Sequence, residues 1–166
     1  MRFIDPLYTN NFLDANIFDE IADGQQEAVQ EILRIYDGEH ITLLLPYSVQ
    51  AELEDPNTPE LVRKAARQFI YSVEVTLTDG EKRLYERLLA EVTGDSDPKN
   101  IAQDLFHVFE AQKNGGGHFV TRDKRLLKRS EAIAQLLNID VVTPEDFISK
   151  VYRAKERERE FARRKE

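Results

Sequence analysis

The stretch ITLLLPYSVQAELE, residues 41–54, opens with a continuous apolar run of strand length, stops at Pro46 and resumes as a helix near Ser48. A run without the polar alternation of a half-exposed strand suits a strand covered on both faces, as in a parallel sheet sandwiched by helices. The pattern repeats outward. Before it, residues 11–14 form a short strand candidate, and Ala28, Val29, Ile32, Leu33 and Tyr36 share a helical face that ends at Gly38. After it come a helix from Thr58 or Pro59, a weakly alternating strand VEVTL at 73–77, a helix in TDGEKRLYERLLAEV and a break at GDSDP. Asp97 and Pro98 then make an N-cap and N1 pair for a helix through Ile101, Leu105, Val108 and Phe109 that ends before Gly115. HFVT at 118–121 is the next strand, KRLLKRSEAIAQLL a helix, IDVVT a strand and PEDFISKVYRAKERERE the last helix. Strand and helix in turn predict an α/β fold, a single-domain α/β/α sandwich with a mainly parallel central sheet of about five strands.

A chain of 166 residues is the size of one domain and buries a core without covalent staples. It has no cysteine, which excludes disulfides and thiolate zinc sites and suits a reducing compartment. MRFIDPLYTN lacks an apolar signal-like core, and no stretch reaches the roughly 18 apolar residues of a membrane span. A cytoplasmic protein with no membrane partner is therefore expected. The net charge of −8 excludes a grip on nucleic acid through the overall field, so any such contact must be local. Residues 150–166 hold eight Lys or Arg against four Glu, leaving −12 on the preceding residues. The expected division is a body, residues 1–149, and a charged C-terminal helical extension, residues 150–166.

In parallel sheets ligands bind outside the carboxyl ends of the strands. Asp14 lies at the end of the first strand and Asp123 just after HFVT, while Glu52 sits about two turns beyond the 41–45 strand. Asp104 precedes HFVT on a helix, roughly 60° from Ile101 at 100° per residue, and so borders the buried face. Two carboxylates about 4 Å apart repel by about 4 kcal/mol at an effective dielectric near 20, so four converging acids imply a bound cation or shared protons. An oxygen-only set points to Mg²⁺ or Mn²⁺, which polarises a phosphodiester, lowers the pKa of bound water and stabilises the leaving oxygen. Singly, each residue has a plainer reading. Asp14 with Asn16 makes a turn, Glu52 and Asp104 are solvated helix residues, Asp123 caps the helix from Lys124, and Thr121 is a strand residue.

Taken in order, FLDANIF (12–18), SVQAEL (48–53), DLFHVFEAQKNGGGHFVTRDKRLL (104–127) and VVTPEDF (141–147) resemble the PIN-domain family, whose best-known members are VapC-type ribonuclease toxins. The likeness spans residues 11–147. It implies a PIN-like sandwich in which Asp14, Glu52, Asp104 and Asp123 are the catalytic and metal-holding residues, with Asn16 and Thr121 in support. It also implies metal-dependent endoribonuclease cleavage of an RNA substrate, restraint by an antitoxin protein, and it admits a homodimer. The chain departs from the family at Ala15, where many members carry Ser or Thr, and in the added residues before Asn11 and after Phe147. Asp95 and Asp97 lie near enough in sequence to rival Asp104 as the third ligand.

Arg122, Lys124 and Arg125 flank Asp123 and are the RNA-contact candidates of an acidic protein, whereas Lys128 and Arg129 read as a solvated helix face. His40, His107 and His118 are too scattered for a metal cluster, although His107 lies one turn from Asp104. The three glycines 115–117 run from helix to strand, the reverse of a phosphate loop, and read as a helix stop with a flexible connection. Two other readings share this framework. A haloacid-dehalogenase-like phosphatase needs a second Asp two residues after the first, where this chain has Asn16; the other is a non-catalytic PIN-like RNA-binding or protein-interaction module.

Overall fold

The computed structural model describes residues 3–94, 99 and 101–166. Strands β1 (Asn10–Leu13), β2 (Thr42–Leu45), β3 (Ile70–Tyr71), β4 (Gly116–Val120) and β5 (Asp140–Val142) form one sheet in the order β3-β2-β1-β4-β5. Every pairing is parallel, with Phe12 opposite Leu44 and Phe119, and Leu13 opposite Val120. Alternate residues on each strand then serve two cores. Phe12, Phe119 and Val141 pack with α5 (Asp79–Thr93), α6 (Ala102–Lys113), α7 (Lys124–Leu127) and α8 (Ser130–Leu137). Leu13, Val120 and Val142 pack on the other face with α1 (Ile17–Asp23), α2 (Glu27–Asp37), α4 (Glu60–Ala66) and α9 (Pro144–Arg163). The chain is thus an α/β/α sandwich, and the run at 41–45 behaves as its composition requires. Leu43 and Leu45 enter one core and Leu44 leans on the other.

Local signals set several helix starts. Thr78 accepts from Glu81 N while Glu81 reaches back to Thr78 N, a capping box that opens α5. Thr143 accepts from Asp146 N ahead of Pro144 and opens α9.

Four expectations need correction. VEVTL at 73–77 is not a strand. Its place is taken by β3, whose last rung is Ser72 N to Leu45 O at 2.7 Å. Pro46 then turns β2 away, so the following residues have no ladder to join, and Val73 is exposed. KRLLKRSEAIAQLL is two helices, α7 and α8, parted at Lys128–Arg129. Of the three glycines, Gly116 and Gly117 belong to β4. A Cβ on Gly116 would lie 2.6 Å from Ala111 O, and one on Gly117 would lie 2.7 Å from Ile4 Cγ2, so close approach rather than flexibility requires them. The boundary at 149/150 falls inside α9, which runs unbroken and buries Val151 and Ala154. The proposed Asp97 N-cap lies outside the described residues.

Strand order reverses beside β1. From β1 the sheet grows through β2 to β3 on one side and through β4 to β5 on the other. The carboxyl ends of β1 and β4 flank that switch point, where the connections diverge and leave a crevice.

Candidate metal centre

Asp14 and Thr121 each lie one residue past their strands, and the pairing of Leu13 with Val120 brings them side by side. Thr121 Oγ1 donates to Asp14 Oδ2 at 2.7 Å and accepts from Asp123 N at 3.0 Å. Asn16 Nδ2 donates to the same Asp14 oxygen at 3.3 Å and to Thr121 Oγ1 at 3.2 Å, while Asn16 Oδ1 accepts from Arg122 N at 3.1 Å. Asn16 therefore ties the loop after β1 to the loop after β4. Asp14 is 4 % exposed, and burial raises its pKa although Thr121 and the Ala15 amide, 2.7 Å from Oδ1, pull the other way.

Glu52 arrives on α3 (Gln50–Leu53), which follows a 3-10 turn at Tyr47–Val49. Its Oε1 is 2.9 Å from His107 Nε2 and accepts from Gln103 Nε2 at 2.9 Å, both from α6. A carboxylate oxygen can only accept, so Nε2 carries the hydrogen and Nδ1 is left to accept from the Ser48 hydroxyl at 2.6 Å. Ser48 N donates in turn to the buried Glu110 at 2.6 Å. His107 is buried, with both ring nitrogens engaged, and orients Glu52.

Asp104 stands one turn before His107 on α6. Glu52, Asp104 and His107 each offer a ligand atom within 4.8 Å of the others. Burial, then the charges of Asp14 and Asp123, push Asp104 up to about 6. Asp123 precedes α7 and accepts from Arg125 N at 2.8 Å, so it is a helix cap as well as a member of the cluster. Burial would raise its pKa, but the Arg125 side chain and amide outweigh that and hold it below the usual range. Arg125 Nη2 donates to Asp104 Oδ2 at 2.8 Å and to Asp123 Oδ2 at 3.0 Å.

The crevice thus gathers Asp14, Glu52, Asp104 and Asp123 from four elements, with Asn16 and Thr121 between the first and the last. Ser48, Glu110 and Gln103 also belong to it and were missed in the sequence, as does His107, which the sequence placed one turn from Asp104 but outside any metal cluster. For His107 and Glu110 the signal was helical spacing, since Asp104, His107 and Glu110 recur every three residues along α6. The RNA-contact trio separates. Arg122 is engaged by both oxygens of Glu20 and of Glu145, which ties α1 to α9. Arg125 lies among the acids, and Lys124 is exposed.

Four carboxyl groups outnumber the Arg125 guanidinium that bridges two of them, and Glu52 and Asp104 bring oxygens close enough together to be offered to one cation. Beside the cluster, a cleft of about 550 Å³ runs along Asn16, Asp19, Glu52, Asp55 and Asn57. No helix among the described residues is long and apolar enough to cross a membrane. In comparisons with known proteins, the chain matches no family model, no curated protein and no solved structure.

Proposed function

We infer that the chain is a PIN-type endoribonuclease that hydrolyses RNA phosphodiester bonds with Mg²⁺ or Mn²⁺. The observation that carries this reading is the meeting of Asp14, Glu52, Asp104 and Asp123 at the switch point of the sheet. The resemblance in motif order supplies RNA as the substrate class. A divalent ion bound there would polarise the phosphoryl oxygen and lower the pKa of a coordinated water. The chain's own part is positioning. Thr121, Asn16 and the Ala15 amide fix Asp14, and His107 with Gln103 fixes Glu52. Asp104 holds a proton below about pH 6 and releases it above, so the ion-free cluster is relieved of part of its repulsion in mild acid and carries it at neutrality. The reading also sets the protein in the cytoplasm, with a small antitoxin protein as its restraint.

The test is incubation of the purified chain with structured and single-stranded RNAs, in Mg²⁺ or Mn²⁺ and in EDTA. Cleavage should need metal and should vanish in Asp14→Asn with Asp123→Asn. Cleavage that persists in chelator, or survives the double substitution, overturns the mechanism. Metal-dependent phosphate release from small phosphoesters with RNA left intact would favour the phosphatase reading. RNA binding without hydrolysis would favour the non-catalytic module.

A further inference from the structure

Arg125 occupies the cluster in a way the proposed chemistry does not use. One guanidinium nitrogen, Nη2, is shared between Asp104 Oδ2 and Asp123 Oδ2, and Nε adds a contact of 3.3 Å to Asp123 Oδ1. A divalent ion drawing on Asp104 Oδ2 and Asp123 Oδ2 would need the space between them where the guanidinium now lies. On those two oxygens the guanidinium and a divalent cation would compete. We propose that Arg125 is a built-in counter-ion that closes the metal site until a divalent cation displaces its guanidinium from Asp104 and Asp123. This rests on the metal-site reading above and adds how access to that site is regulated.

The Arg125 side chain is 54 % exposed and borders water, whereas Asp104 and Asp123 are 23 % and 14 % exposed. The backbone of α7 is anchored independently, by the fully buried Leu126 and by the Asp123 cap on Arg125 N. The neighbouring Arg122 cannot substitute, because Glu20 and Glu145 engage its whole fork. Lys124, the next cation along, is exposed at the start of α7 and provides the matched control.

The experiment titrates Mn²⁺ into the metal-free full chain by calorimetry, for the parent, Arg125→Gln, Arg125→Lys and Lys124→Gln. Removing the competing guanidinium should tighten Mn²⁺ binding about fivefold, which at 1.4 kcal/mol per tenfold is about 1 kcal/mol. Arg125→Lys should fall between, and Lys124→Gln should stay within about twofold of the parent. Thermal unfolding gives a second readout that does not depend on activity. In EDTA, Arg125→Gln should melt below the parent, and saturating Mn²⁺ should narrow the gap, because the ion then supplies the missing positive charge. Arg125→Gln binding Mn²⁺ no more tightly than the parent, or Lys124→Gln tightening it equally, overturns the counter-ion role and leaves the metal site standing. No Mn²⁺ heat and no thermal shift in any of the four proteins overturns both.

Discussion

Replacing Asp104 by Asn should reverse the order of stability of two proteins according to whether metal is present. In the metal-free chain, burial and the charges of Asp14 and Asp123 raise Asp104 from 3.8 to about 6. A raised acid weakens the fold when ionised. The penalty is absent below the unfolded value, grows as pH rises between 3.8 and 6, and is complete above. A rise of roughly two units corresponds to about 3 kcal/mol at pH 8, and solvent reaching the side chain reduces this to about 1–2 kcal/mol. Asn keeps the shape and removes the charge, so in EDTA at pH 8 the variant should be the more stable by about 1–2 kcal/mol, even though the contact with Arg125 is weakened. Metal acts in the opposite sense. At about one hundred times its dissociation constant, an ion that binds only the folded form stabilises the parent by about 2.7 kcal/mol, and the variant, short of a ligand, should gain much less. Urea unfolding of both proteins, in EDTA and in excess Mn²⁺, reads all four values. A variant that is less stable in EDTA yet keeps the full Mn²⁺ shift would refute the reasoning. Asp104 would then be a structural residue, and Asp95 or Asp97, both outside the described residues, would become the third-ligand candidates.

Two further outcomes are expected. His118 is fully buried between Asn11 and Lys150, and burial, then the Lys150 charge, hold its pKa down to about 4 against the pull of Asp140. A base whose folded pKa is depressed gives stability that is complete above its unfolded value of about 6.5 and falls as pH drops toward 4, so His118 should account for about 2 kcal/mol of loss between pH 7 and pH 5. His118→Asn should flatten the urea-unfolding slope by that amount, and parallel slopes would count against the assignment. Truncation after Glu158 should cost under about 0.5 kcal/mol, as for an exposed helix end. Truncation after Arg153 should cost about 1–2 kcal/mol, because it removes the buried Ala154 and the stacking of Arg157 on Phe3. Equal melting temperatures for the two truncations would argue that α9 past Arg153 is idle.

The layers and the sheet edge were legible in the sequence because both follow from short-range signals. An unbroken apolar run, a Pro after it and alternating helix periods are sufficient to place Asp14 and Asp123 at strand ends. The misread segments were decided by distant partners. VEVTL alternates as a strand should, but β2 has already turned away at Pro46, and propensity cannot pair with an absent neighbour. Gly116 and Gly117 look like slack until Ala111 and Ile4 are seen pressed against them. His107 was set aside because histidines 40, 107 and 118 are far apart in the chain, although its partner Glu52 lies 55 residues away and meets it across α3 and α6. Arg122 and Arg125, separated by two residues, looked alike as phosphate contacts. Their different fates depend on Glu20, Glu145 and Asp104, which no local pattern connects to them.

The four acids are not equivalent. Asp14 accepts from Thr121, Asn16 and a backbone amide, Glu52 is held by His107 and Gln103, and Asp123 by an amide and a guanidinium. Asp104 is held by that same guanidinium, on a half-exposed side chain, and by a hydrogen bond shared with Asp123. A carboxylate stabilised by fixed donors stays in place whether or not a cation is present. One that depends on a half-exposed cationic side chain changes its surroundings if that side chain is displaced. On the proposed metal site, Asp104 and Arg125 are therefore the pair through which the crevice would respond to an ion. Asp14, Glu52 and Asp123 supply the fixed geometry against which that response occurs.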